Sequence, residues 1–145
     1  MRITPLPRFA LPALALALML SSAAFAETIT YTTSLKGSDE VPPNDSKATG
    51  TVEAKYDTAT MKLSYTVTYS GLSGPATAAH FHGPAKPGEN AGPVITLSGK
   101  LDSPIKGEAT LTKAQAQDLA NGMWYLNVHT AAHASGEIRG QLAKK

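Results

Sequence analysis

In Met61-Lys-Leu-Ser-Tyr-Thr-Val-Thr-Tyr69, the residues Met61, Leu63, Tyr65, Val67 and Tyr69 alternate with Lys62, Ser64, Thr66 and Thr68. Successive side chains of an extended chain point to opposite faces, so this period of two describes a strand with one core face and one wet face. Just upstream, Thr49 to Tyr56 is a second strand, and Asp57-Thr-Ala-Thr60 between them supplies turn residues that bond their own backbone, making a hairpin. Earlier still, Thr28 to Leu35 reads as a strand closed by the loop Asp39-Glu-Val-Pro-Pro43. Downstream, Thr, Val and aromatic-rich runs broken by Gly, Pro and Asn give strands at Ala76–His82, Val94–Ser98, Ile105–Leu111, Met123–Thr130 and Glu137–Leu142.

Helical periodicity occurs once. Thr112 is placed as an N-cap, Gln115 completes a capping box, and Asn121-Gly122 stops a short crossover helix. Eight strands with no alternating helices predict an all-β fold: an eight-stranded antiparallel Greek-key or immunoglobulin-like β-sandwich or barrel. The expected core comprises Tyr65, Val67, Phe81, Trp124, Leu126, Val128, Ile138 and Leu142.

Residues 1–26 have the pattern of a secretory signal peptide: Arg2 and Arg8, an apolar run from Phe9 to Leu20, and a small-x-small cleavage site at Ala24-Phe25-Ala26. Residues 27–145 then form a single β domain, periplasmic or secreted. The formal charge of +2 comes from those two arginines, and from Glu27 onward acids and bases balance. Without a basic patch the chain lacks the footprint of a nucleic-acid binder, and no stretch is long enough and apolar enough for a membrane span after signal removal. There is no cysteine, which excludes disulfides, thiolate metal sites and a thiol nucleophile.

The four histidines lie in two short stretches, Ala79-His80-Phe81-His82-Gly83-Pro84 and Asn127-Val128-His129-Thr130-Ala131-Ala132-His133. Strand parity puts His80 and His82 on one face with Phe81 toward the core. In the later strand Trp124, Leu126 and Val128 face the core, which leaves Met123, Tyr125, Asn127 and His129 opposite. His80, His82 and His129, with His133 as a fourth candidate, make a plausible nitrogen-only metal site; that donor set favours Cu (Cu(II)/Cu(I)), with Zn the less favoured alternative. Met123 could add a soft ligand, although packing beside Trp124 is the plainer role. Taken singly, each histidine is better explained as an ordinary polar residue; it is the grouping that points to metal.

In the last strand Ile138 and Leu142 face the core, so Glu137, Arg139 and Gln141 are expected outward. An antiparallel return from Met123–Thr130 brings Arg139 beside His129, either as a fixed cation near the metal or as a solvent-facing arginine paired with Glu137. Ser135 and His133 are loop neighbours without an orienting acid, which disfavours hydrolysis.

Three segments resemble the CHRD (chordin-type) domain family: Gly37-Ser-Asp-Glu-Val-Pro-Pro43, Ala78-Ala-His-Phe-His-Gly-Pro-Ala85, and Trp124-Tyr-Leu-Asn-Val-His-Thr followed by His133-Ala-Ser-Gly-Glu-Ile-Arg-Gly-Gln-Leu142. The resemblance implies an immunoglobulin-like β-barrel and little about chemistry; where many members would have Pro after the final histidine, this chain has Ala134. A fainter resemblance, to Cu/Zn superoxide dismutases, implies that His80, His82 and His129 are copper ligands and that Arg139 is a catalytic arginine guiding superoxide. The chain departs from that pattern in lacking a disulfide and a zinc loop. Three readings follow: a copper-binding protein that turns over superoxide, one that stores or buffers copper, and a metal-free extracytoplasmic module for a protein or glycan.

Overall fold

The computed structural model describes residues 25–145. The n-region and apolar run of the expected signal peptide lie outside the described residues.

The described residues form nine strands: β1 (Thr28–Lys36), β2 (Thr49–Asp57), β3 (Lys62–Ser70), β4 (Ala76–His82), β5 (Pro93–Thr96), β6 (Ile105–Thr110), β7 (Tyr125–Thr130), β8 (Ile138–Gln141) and the two-residue β9 (Ala143–Lys144). All pairings are antiparallel, in the order β5-β4-β7-β8-β1-β2-β3-β6, with β9 also on β1. The result is an all-β, nearly closed, barrel-like sheet. The strand expected at Glu137–Leu142 forms as β8, and the Leu142 N–H bonds the Trp124 carbonyl, carrying the β7–β8 register one pair further. The helix α1 (Lys113–Ala120) carries the expected capping box, with Thr112 Oγ1 accepting from the Gln115 N–H and the Gln115 side chain accepting from the Thr112 N–H. It crosses from β6 at one end of the sheet order to β7 near the other.

The alternation in β3 is realised: Leu63, Tyr65 and Val67 are buried while Lys62, Ser64 and Thr68 are exposed. Met61 instead sits in the hairpin turn with a positive φ of 59°. All eight expected core residues are buried, with Phe81 edge-on to Tyr65 at 5.3 Å and tilted against Trp124 at 5.9 Å.

The outer face of β4, β7 and β8 departs from the expectation of a wet surface. Glu137 and Arg139 have the outward parity read from the sequence, yet they are only 0 % and 2 % exposed. The loops 37–48 and 83–92 fold over that face. Asn44 donates to the carbonyls of Gly136 and Glu137, and Asn90 donates to the Val41 carbonyl, so the loops hold the sheet and each other. Polar residues under such a cover must find partners, because an unpaired buried polar group costs ~1–3 kcal/mol. Glu137 finds the hydroxyls of Ser46, Ser73 and Thr130, and does not pair with Arg139.

Candidate metal centre

Strands β4 and β7 pair with Ala79 opposite Val128 and Phe81 opposite Leu126 on the core side. On the outer side His80 lies opposite Asn127, His82 opposite Tyr125 and His129 opposite Ala78. Ala78 is small, which leaves space for the His129 ring to lean toward His80. His80 Nδ1 and His129 Nε2 come to 3.0 Å, with ring centroids 4.9 Å apart; His80 and His82 are 5.4 Å apart and edge-on.

One ligand atom from each of His80, His82 and His129 can be chosen so that all lie within 4.8 Å of one another, the one such group of three among the described residues. Nitrogens bound to one tetrahedral ion at ~2.0–2.1 Å lie ~3.3–3.4 Å apart, so His80 and His129 are already near ligand spacing and the group of three must close by up to ~1.4 Å. The groups behind two of the imidazoles also suit a metal ligand. His129 Nδ1 donates to the Ala134 carbonyl at 2.9 Å and His82 Nδ1 faces the Ala91 carbonyl at 2.8 Å. A backbone acceptor on Nδ1 fixes the tautomer that leaves Nε2 as the ligating atom. The residues present therefore fit a nitrogen-ligated ion.

Burial and the nearby His129 and His82 rings lower the pKa of His80. Burial also lowers that of His82, with the contacts to Ala91 and Asn127 opposing and His129 and Arg139 adding to the effect. Both shifts favour neutral imidazoles, the form that binds metal.

His133 falls outside the group. Its contribution is through the backbone: its N–H donates to the Thr130 carbonyl and its carbonyl accepts from the Gly136 N–H, building the turn that presents the Ala134 carbonyl to His129. Histidine spacing in the sequence shows neither the direction of a loop side chain nor this turn. Met123 precedes β7, where its carbonyl accepts from the Ala85 N–H.

Arg139 pairs opposite Asn127, one step along from the expected place beside His129. Its guanidinium lies 3.4 Å over the Tyr125 ring, and it donates to Asn90 Oδ1 at 2.8 Å and to the Glu89 carbonyl. The neighbouring Glu40 is only 6 % exposed; burial pushes its carboxyl up to about 7 against the pull of Arg139 and the Asn127 amide. Glu40 and Asn127 were not legible as site residues: Glu40 stands in a loop 40 positions before His80, and Asn127 is marked only by strand parity.

No curated protein and no solved structure matches the chain. The model of the CHRD domain family matches residues 31–142, which span every strand placing a histidine of the centre, and the chain belongs to that family.

Proposed function

We propose that this is an exported copper-binding protein that holds one ion between His80, His82 and His129. The carrying observation is the convergence of three imidazole nitrogens from two paired strands, two of them backed by backbone carbonyls. With nitrogen donors only, the Irving–Williams order favours Cu(II), and Zn is the second choice. Calorimetry with Cu(II) should give one ion per chain for the parent and a large loss of affinity for the His80→Ala/His82→Ala double variant. Unchanged affinity in that variant defeats the proposal and leaves the metal-free interaction module. Export is supported by the signal-like residues 1–26, and the mass of the protein recovered from the cell envelope should correspond to a chain starting at Glu27.

A second reading is superoxide dismutation, which bound copper would supply by cycling between Cu(I) and Cu(II). The observation in its favour is that His80 is the one histidine of the three that is not fully buried, the side from which a small anion would approach. Arg139 gives it less support than the sequence suggests, since its guanidinium is buried and bonded to Asn90 and Glu89. Copper storage or buffering is therefore the better supported role. A copper-loaded protein that disproportionates superoxide faster than free aqueous copper would reverse that order.

A further inference from the structure

The contact that least suits a metal site is the one on His82 Nε2. Asn127 Oδ1 lies 3.0 Å from it, and that amide is buried. A carboxamide oxygen only accepts, so this contact requires a hydrogen on the nitrogen that must be bare to ligate. The opposite ring atom, Nδ1, also faces an acceptor, the Ala91 carbonyl. A neutral ring has one hydrogen and satisfies only one of the two. In this arrangement Asn127 competes with metal for His82, whereas His80 Nδ1 and His129 Nε2 are engaged only with each other, so an ion displaces no third residue there.

The other end of the same amide shows where it can go. Asn127 Nδ2 makes only a long contact of 3.4 Å to the Ser135 carbonyl. Close by is Glu40 Oε1, a buried oxygen with no hydrogen-bond partner. Both atoms converge on the place where residue 136 would carry a Cβ; Gly136 has a φ of +130°, and a Cβ there would collide with Glu40 Oε1 and with Asn127 Nδ2. The chain thus leaves a space in which the carboxyl and carboxamide can meet.

We propose that Glu40 is a positioning residue for the metal centre, accepting the Asn127 amide when that amide leaves His82 Nε2 to an ion. The inference rests on the three-histidine reading above. Asn127 is a latch on His82, and Glu40 receives it. The Asn127 amide already lies near enough to lower the Glu40 pKa without closing a hydrogen bond on Oε1, and that oxygen is explained as an acceptor whose bond closes fully when the amide leaves His82. Burial without a full set of partners holds the Glu40 carboxyl up at about 7, a cost expected where a group serves a site more than the fold. Arg139 from β8 and Asn127 from β7 are the groups that lower it.

The test is a mutant cycle read by competition of Cu(II) with a chelator. Glu40→Met, which has no acceptor, should lower affinity by about tenfold, the lower end of what loss of an outer-shell partner costs. Glu40→Gln keeps an acceptor oxygen and should recover most of that loss. In an Asn127→Ala background, which should bind copper at least as tightly as the parent, neither substitution should matter. A Glu40→Met loss equal in both backgrounds, or a Glu40→Gln variant as weak as Glu40→Met, overturns the proposal. Ring-nitrogen NMR of the metal-free protein gives a second readout: the His82 Nε2 signal should shift on Asn127→Ala, and an unmoved signal rules out the latch. If His80→Ala/His82→Ala leaves copper affinity unchanged, the metal site itself is wrong, an outcome distinct from either result.

Discussion

Tyr125 and His82 lie ring on ring, 4.7 Å between centroids and 1° from parallel, and Arg139 covers the other side of the Tyr125 ring. The three side chains come from β7, β4 and β8, so the stack joins three strands of the outer face. It also anchors the loop above. Tyr125 Oη donates to the Ala91 carbonyl at 3.1 Å, the same carbonyl that His82 Nδ1 faces, while Arg139 holds Asn90 and Glu89. The arginine is thereby fixed between loop 83–92 and the tyrosine ring, beside the candidate centre.

Arg139→Lys should therefore loosen that loop. A lysine offers a point charge in place of a planar fork that stacks and donates twice. The expected cost is about 2 kcal/mol, from a desolvated cation–π contact and the lost hydrogen bonds. Hydrogen exchange should show faster opening at residues 86–92, and exchange unchanged from the parent would show that the clamp is not Arg139.

Trp124→Ala should cost about 3–5 kcal/mol, because it removes the largest fully buried side chain and leaves a cavity beside Phe81. Lys62→Ala loses only a 3.0 Å ion pair with Glu108 between side chains more than half exposed, worth about 0–1 kcal/mol. Denaturant midpoints for the two variants should differ widely; equal midpoints would contradict the core assignment.

Acid should unfold the protein through Glu137. Burial alone would raise its pKa, but the Ser73, Thr130 and Ser46 hydroxyls and the Ser73 N–H overcome that and bring it down to about 2. A carboxyl depressed from 4.5 to about 2 stabilises the fold above its unfolded pKa, by about 3 kcal/mol, and loses that contribution as pH falls from about 5 to 2. Glu137→Gln should lower stability at pH 7 and flatten this acid limb. An acid limb as steep as the parent's would place the proton uptake elsewhere.

Glu40 has the opposite sign. Its folded pKa is raised, so ionising it opposes folding, and the penalty grows as pH rises from about 4.5 to 7. Glu40→Gln should match the parent at pH 4 and exceed it by about 2–3 kcal/mol at pH 8. Melting temperatures across that range check it. A gain of the same size at pH 4 would mean that ionisation is not the cause.

What local sequence fixed here was periodicity. Alternation in 61–69 placed β3, the hairpin with β2 followed from Asp57-Thr-Ala-Thr60, and parity in Ala79–His82 and Trp124–His129 put three histidines on one face. These are properties of adjacent residues, and side-chain direction in a strand repeats every two positions. Parity, however, separates faces without telling which is wet. Glu137, Arg139 and Asn127 are buried because loops 37–48 and 83–92, distant in sequence, close over the outer side of β4, β7 and β8. Register decided the rest. Register paired Arg139 with Asn127 instead of beside His129, and the turn through Ala134 engages the His133 backbone while its ring stays outside the three-histidine group. Contacts of that kind depend on loop closure and on which strands become neighbours, and only the folded chain specifies either.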